Sequence, residues 1–121
     1  MPIAISDDHR DLAGVARSFL EGVDARAAAR ATLDAADEAL PPFWKELAEL
    51  GWLGLHLPEE HGGSGYDLPE LAIVLDELGR VVAPGPFLPT VWASAVVNDA
   101  GDDALRSRLL PGLADGSTPA A

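Results

Sequence analysis

Residues 43–65 read FWKELAELGWLGLHLPEEHGGSG, and they hold the strongest structural signals in the chain. Phe43, Leu47 and Leu50 fall on one face at helical spacing, which predicts a short amphipathic helix. Gly51 follows directly and suits the left-handed residue that closes a helix. The stretch is therefore expected to begin as a helix that packs on one side against a core.

The second half of this stretch predicts no α-helix. Residues 52–57 form an apolar run between a glycine and a proline. The run is too short for a helix, so we expect a buried extended connection. Three of the four residues 62–65 are glycines, and because glycine favours positive φ they predict a loop.

Upstream, the chain predicts one long amphipathic helix and one weaker helix. The apolar stripe of the first consists of Leu12, Val15, Ala16, Phe19, Leu20 and Val23. Ser6 or Asp7 is placed to cap its start. Residues 25–40 are rich in Ala, Arg and Asp and predict a weakly amphipathic helix that is broken near Thr32. The proline pair 41–42 ends this region.

Downstream, three more helices are predicted. Asp67 and Glu70 form a capping-box pattern at the start of the first. Its inner stripe is Leu68, Leu71, Ala72, Leu75, Leu78 and Val82. After the proline-rich turn 82–89, one side of the second helix is formed by Leu88, Val91, Trp92, Ala95 and Val96. Asp102 or Asp103 caps the last helix, which carries Leu105, Leu109 and Leu110 and precedes Gly112.

These elements predict an all-α fold, an orthogonal or up-down bundle of five to six helices. At 121 residues the chain is long enough for one domain. We divide it into a helical domain, residues 1–116, and a tail, residues 117–121. The small and polar end of the chain, residues 114–121, is expected to find no partner within it.

The chain is strongly acidic, with 8 Lys and Arg against 20 Asp and Glu and a net charge of −12. This excess argues against binding to nucleic acid or to an anionic membrane, because both need clustered cations. Cysteine is absent, which excludes disulfides and cysteine-based zinc sites. Residues 1–8 lack the cationic and apolar parts of a signal peptide, so we expect a soluble, cytoplasmic protein.

The residues alone show no catalytic constellation. Ser64 lies between glycines but lacks the Gly-x-Ser-x-Gly spacing of a nucleophile elbow. His56 and His61 flank a loop without a recurring metal-ligand spacing. The glycines that precede a helix invite a phosphate-loop interpretation, but Asp67 and Glu70 at the helix start would repel a phosphate. We therefore assign no catalytic, cofactor-binding or metal-ligating residue.

Four short motifs, taken together, resemble the acyl-CoA dehydrogenase family. They are residues 43–55 (FWKELAELGWLGL), 58–65 (PEEHGGSG), 76–80 (DELGR) and 109–116 (LLPGLADG). Their order and spacing agree with the N-terminal domain of that family over essentially the whole chain. The segment 84–89, PGPFLP, is similar to the actinobacterial branch that handles bulky acyl groups.

The resemblance implies the all-α N-terminal domain of a three-domain flavoenzyme. Members oxidise an acyl-CoA thioester to the trans-2-enoyl-CoA; a glutamate base takes the α-proton, and the β-hydride goes to FAD. The flavin-holding β-domain and the catalytic base of the family follow the region that is matched here. We therefore expect FAD only in the complete enzyme, and an inactive, flavin-free chain when it is alone. Members of the family are usually dimers or tetramers, so an oligomer is also expected.

One site follows from the resemblance. The helix after the turn 84–89 corresponds to the family's helix beside the acyl cavity. The candidate pocket-wall residues are Phe87, Val91, Trp92 and Ala95. No acid in the chain matches the family's base, and the charge of −12 requires that CoA and FAD phosphates be recognised mainly elsewhere.

Two alternatives stay open. The first is a natural, non-catalytic helical subunit that docks on a flavin-bearing family partner. The second is an acyl-carrier-like module, which is disfavoured because no serine here stands in the Asp-Ser-Leu setting of a phosphopantetheine site. Without neighbouring domains, the bundle is expected to expose apolar surface and to self-associate.

Overall fold

The structure is a computed structural model that describes residues 5–121, and it is all-α, as predicted. Its six helices are α1 (Asp7–Gly22), α2 (Ala25–Asp34), α3 (Trp44–Glu49), α4 (Leu68–Arg80), α5 (Phe87–Ala100) and α6 (Asp103–Asp115). Two 3₁₀ turns, Trp52–Gly54 and Glu59–His61, lie between α3 and α4. The signal-peptide prediction rests partly on residues 1–4, which lie outside the described residues. None of the described helices is long and apolar enough to cross a membrane.

Helices α1 and α4 run parallel and are joined at two levels, by a hydrogen bond and by an ion pair. His9 Nε2 lies 3.0 Å from Glu70 Oε1 near the two helix starts. Two turns further on, the Arg17 guanidinium donates to both oxygens of Glu77, at 2.7 and 3.1 Å. The Glu77 side chain is only 5% exposed, so this bidentate pair satisfies a carboxylate that would otherwise be buried alone.

The starts of α1 and α4 are both closed by capping boxes, which confirms the predicted caps. Ser6 accepts a hydrogen bond from the His9 amide, and the His9 ring accepts one from the Ser6 amide. Asp67 and Glu70 make the same exchange at α4. Because Glu70 also bonds to His9, one side chain closes a cap and joins two helices. The pKa of Glu70 is lowered chiefly by this hydrogen bond from His9.

The apolar run at residues 52–57 is buried, as predicted, but it is not extended. Gly51 has φ of 83° and reverses the chain after α3, and Gly54 N–H then donates to Gly51 O at 3.2 Å to close a 3₁₀ turn. A turn rather than a strand forms because the region has no β neighbour to pair with. The amides of Ser64 and Tyr66 instead donate to carbonyls of this turn region. The glycine-rich loop thus folds back against the turn.

The core joins the helices around two buried tryptophans. Trp52 is 2% exposed and its ring meets Phe19 edge-on, with centroids 5.2 Å apart. The Trp44 indole N–H donates to the carbonyl of Gly116 at 3.0 Å, which ties α3 to the end of α6. Gly116 has φ of 79°, a left-handed conformation that favours glycine, and a Cβ there would also be in tight contact with Trp44 Nε1, at 3.1 Å.

Two local expectations were wrong. Residues 35–40 are not helical, since helix α2 ends at Asp34, close to the break that was expected near Thr32. Helix α6 continues beyond Gly112 to Asp115, because Leu113 and Ala114 pack with Leu57 in a second core cluster. Burial of these side chains outweighs the loss of one amide donor at Pro111, which lies inside the helix.

The end of the chain also has partners, contrary to the sequence-based expectation. The Thr118 amide donates to the Gly112 carbonyl at 3.0 Å, and the Ala120 amide donates to Thr90 Oγ1 on α5 at 3.0 Å. Ala120 itself packs against the cluster around Leu57. Backbone amides supply these contacts, so the side-chain types of the tail gave no sign of them.

Val82 ends α4 in a conformation that β-branched residues rarely adopt. It was predicted on the inner stripe, but it is 73% exposed and has φ of 52°. Its amide donates to Gly79 O and the Ala83 amide donates to Leu78 O, a pattern that usually places glycine at the left-handed position. Leu68, at the opposite end of the helix, is likewise 64% exposed rather than internal.

Replacing Val82 with glycine should therefore stabilise the protein. We expect Val82→Gly to raise the free energy of unfolding by about 1 kcal/mol, because it removes the left-handed strain of an exposed valine. Urea denaturation followed by circular dichroism measures the change. Val81→Gly is the matched control, since Val81 has φ of −105° and should lose stability. A Val82→Gly protein less stable than the wild type would contradict the assignment of strain.

Candidate functional site

Helix α5 is apolar all round, and packing divides it into two faces. Its inner face is buried and consists of Phe87, Thr90, Val91 and Ser94. Its outer face is a stripe of Leu88, Trp92 and Val96, which are 40%, 64% and 65% exposed. No charged residue occurs between Phe87 and Asn98. A helical stretch that carries no charge over residues 87–98 and leaves one apolar face uncovered is typical of an element with a further contact to make.

The structure separates the four predicted pocket-wall residues. Phe87 and Val91 lie in the core, 6% and 0% exposed, and contact other helices of the bundle. Trp92 projects outward, and Ala95 beside it is half-buried. The expectation that Val91 shares a side with Trp92 was therefore wrong. Leu88 and Val96 extend the face that Trp92 presents, and we call these three residues the outer stripe.

Two buried hydroxyls decide which face of α5 is turned inward. Thr90 Oγ1 donates to the Pro86 carbonyl at 2.6 Å and accepts the Ala120 amide. Ser94 Oγ donates to the Val91 carbonyl at 2.9 Å and lies 2.9 Å from His56 Nε2. Each hydroxyl thus donates its proton to a backbone carbonyl in or next to α5. Each also accepts a hydrogen bond from another segment of the chain and holds that segment against α5.

The contact between His56 and Ser94 fixes the protonation pattern of the imidazole. Because the single Ser94 hydroxyl proton is used on Val91, Ser94 accepts the N–H of His56 Nε2. His56 Nδ1 is then an acceptor, and it is buried without a hydrogen-bond partner in the described part of the chain. Burial lowers the pKa of His56 from its ordinary value of 6.5, so the ring is neutral at pH 7.

A groove of about 1010 Å³ lies beside the start of α5. Its lining comes from α2, the connection 35–42, the turn 84–89 and the tail 119–121, and consists mostly of alanine and proline. Pro41 packs directly over Gly85, where a Cβ would lie 2.8 Å from the proline ring. We call this feature the alanine–proline groove.

The glycine-rich loop does not fit a phosphate-bearing cofactor. Glu59 and Glu60 lie in the 3₁₀ turn before it, and Asp67 and Glu70 occupy the first turn of α4 after it. With no Lys or Arg between positions 45 and 80, this region would repel the diphosphate of FAD. Gly63 serves packing instead, because any Cβ there would collide with the Leu57 backbone. Within residues 5–121 no three His, Asp or Glu side chains are grouped to hold a metal ion.

The chain belongs to the acyl-CoA dehydrogenase family, whose N-terminal domain model matches residues 6–117. The curated relatives that it resembles include acyl-CoA dehydrogenase FadE12 of Mycobacterium tuberculosis, 40% identical over 80 residues. Mitochondrial isovaleryl-CoA dehydrogenase of Pongo abelii is 28% identical over 115 residues, or 93% of this chain. The resemblance inferred from the motifs is thus confirmed.

Two solved structures share the fold. A variant of the Tcur3481–Tcur3483 steroid ACAD superposes with a TM-score of 0.81 at 36% identity, over 96% of this chain and 32% of that one. The ChsE4–ChsE5 complex from Mycobacterium tuberculosis gives a TM-score of 0.73 at 26% identity, over 96% of this chain and 30% of that one. The match to FadE12 covers 62% of this chain and 20% of that protein. The chain therefore spans between a fifth and a third of the length of these relatives.

The buried histidine predicts a specific dependence of stability on pH. The native state binds the His56 proton more weakly than the unfolded state, so acidification favours unfolding. We expect the free energy of unfolding to fall as the pH drops below 6.5, and this contribution to level off below the lowered pKa.

A titration of the His56 ring protons by NMR should give a midpoint below 6.5. In His56→Gln, which cannot titrate in this range, the extra slope of stability against pH should disappear. A midpoint at or above 6.5, or an unchanged slope in the variant, would show that the ring is not held neutral by burial.

Proposed function

We propose that this chain is the N-terminal helical part of an FAD-dependent acyl-CoA dehydrogenase, which converts an acyl-CoA thioester to the trans-2-enoyl-CoA. Family membership over residues 6–117 supports the class of reaction. The chain supplies neither the flavin site nor the base, because its loop is acidic and no carboxylate matches the family's base. Its own contribution is apolar surface and packing between domains.

The outer stripe of α5 carries the proposed role in substrate binding. Trp92 leads this role, with Leu88 and Ala95 beside it, and Phe87 and Val91 support the wall from the core side. An uncovered apolar face without charge suits the acyl chain of a substrate, since burying apolar surface contributes roughly 25 cal/mol per Å². The anionic CoA end must lie elsewhere, because this chain has a net charge of −12.

The acyl group is proposed to be bulky. Trp92 offers a wide, flat surface, and the turn that leads into α5 consists at positions 84–86 of two prolines and a glycine, which carry no long side chain. The structural relative with a TM-score of 0.81 carries the description steroid ACAD, which supports the same class of substrate. We propose that the protein acts in the cytoplasm, a reducing compartment with which the absence of cysteine is compatible.

The flavin-bearing body is either joined to this chain or supplied by a separate subunit. The second candidate, a non-catalytic helical subunit, is favoured by one observation. One of the two similar solved structures is a complex of two different proteins, ChsE4 and ChsE5 of Mycobacterium tuberculosis. In both cases we propose that the outer stripe faces the flavin-bearing body and that the assembly is an oligomer.

The proposal is tested on the assembly purified from its native host through a tag on this chain. We expect bound flavin, and acyl-CoA-dependent reduction of an electron-accepting dye with a trans-2-enoyl-CoA product identified by mass spectrometry. The isolated chain should show neither property. An assembly without flavin that is inactive on straight-chain, branched and polycyclic acyl-CoA substrates would refute the function. Phosphopantetheine attachment to the chain, detected as a mass increase, would support the acyl-carrier alternative instead.

Trp92→Ala should weaken substrate binding in the active assembly. We expect KM for the preferred acyl-CoA to rise about tenfold with little change in kcat, because the indole contributes apolar contact that is similar in the ground and transition states. Val15→Ala is the matched control, since Val15 is a comparably exposed apolar residue on α1, 56% exposed. Equal KM values for wild type and Trp92→Ala would remove Trp92 from the pocket wall.

A further inference from the structure

The alanine–proline groove has a charge pattern that the proposed pocket wall does not explain. Asp37 and Glu38 line it, and no Lys or Arg does. Both carboxylates are exposed, and within residues 5–121 neither forms an ion pair. Asp34, at the end of α2, adds a third exposed acid nearby. The groove therefore combines an apolar floor with an acidic edge.

The acidic edge excludes the CoA part of a substrate as the occupant. CoA carries several phosphate charges, and the lining of the groove offers them two carboxylates and no cation. An apolar ligand without charge would fill the floor but leave the acidic edge unused. A complementary occupant carries positive charge beside apolar side chains.

A second copy of this chain is also a poor occupant. It would bring a further net charge of −12. Of its eight Lys and Arg residues, six already bond to acids or backbone carbonyls in the described structure. Only Arg30 and Arg108 have no such bond among residues 5–121, and Arg30 belongs to α2, which lines the groove itself. Repulsion between two acidic chains would oppose this contact.

We propose that the alanine–proline groove docks a different polypeptide, which inserts an apolar segment flanked by Lys or Arg. Its apolar side chains cover the proline and alanine floor, and its cations approach Asp37 and Glu38. The identity of that polypeptide as a flavin-bearing family subunit rests on the proposed function, but the charge argument does not. The complex is expected to weaken as salt is raised, since the paired charges lie at an exposed edge.

Position 36 is suited to a photo-cross-linker, because Ala36 is exposed and lines the groove. The chain is produced in its native host with p-benzoylphenylalanine at this position, irradiated, and analysed by peptide mass spectrometry. The same probe at Val15, on α1 and outside the groove lining, measures background capture. We expect a cross-link from position 36 to one site in a second polypeptide, within an apolar segment that has Lys or Arg beside it.

Charge reversal tests the acidic edge directly. Asp37→Lys combined with Glu38→Lys should lower the cross-link yield from position 36 about tenfold, because attraction at the edge becomes repulsion. The matched control combines Glu21→Lys with Asp99→Lys. Both of these acids are exposed and lie outside the groove lining near helix C-termini, where a cation is tolerated. The control makes the same change in net charge and should keep the wild-type yield.

The outcomes separate the docking proposal from the proposed function. Equal loss of yield in both double variants, or no loss in either, would overturn the docking proposal. So would capture no greater than at position 15, or cross-links to a second copy, to another part of the same polypeptide, or to a lipid or CoA ester. A cross-link to a basic, apolar segment of a protein unrelated to flavoenzymes would support the docking proposal and count against the proposed function. If the assembly contains a flavin-bearing partner that does not cross-link to position 36, the proposed function is supported and the docking proposal is contradicted.

Discussion

The orientation of α5 is the constraint on which the functional surfaces of this protein depend. Thr90 and Ser94 are buried at 0% exposure, and each uses its proton on a carbonyl of its own helix. Their remaining acceptor capacity holds the tail and the His56 segment. If the helix were rotated to bury Trp92, both hydroxyls would be carried toward the surface and both contacts would be lost. The Ala120 amide and the His56 ring would then lose their acceptors. A buried donor without an acceptor costs about 1–3 kcal/mol, which favours the observed orientation with the outer stripe outside.

One of these two contacts connects the stripe to the groove. Thr90 holds Ala120, and Ala120 lines the groove together with the turn that leads into α5. The surface proposed to touch an acyl group and the surface proposed to dock a polypeptide are therefore anchored on one helix. Their chemistry differs, since one carries no charge and the other has carboxylates at its edge. This difference assigns them to different occupants.

The rest of the bundle provides a rigid support for α5. Helices α1 and α4 are joined at their starts through His9 and Glu70 and at mid-length through Arg17 and Glu77. A buried bidentate ion pair is weak evidence for net stability, because desolvation opposes its attraction. It does, however, penalise any slip of one helix along the other, since a slip leaves a buried charge unpaired. The relative position of the two helices is fixed for that reason.

Much of this fold was readable from local chemistry. The capping residues Ser6, Asp67 and Asp102 and the left-handed Gly51 each determine structure within a few residues, and all were predicted. The apolar stripe of α1 was predicted except at Val15, which is 56% exposed. The four motifs at residues 43–55, 58–65, 76–80 and 109–116, taken together, also identified the family. What the sequence left undecided depends on contacts between distant segments. Because α5 is apolar on every side, periodicity cannot choose its buried face. Only packing against α6, the tail and the His56 segment decides that Val91 turns inward and Trp92 outward. The same holds for the groove, whose parts come from four separate stretches of chain that become neighbours only in the folded molecule.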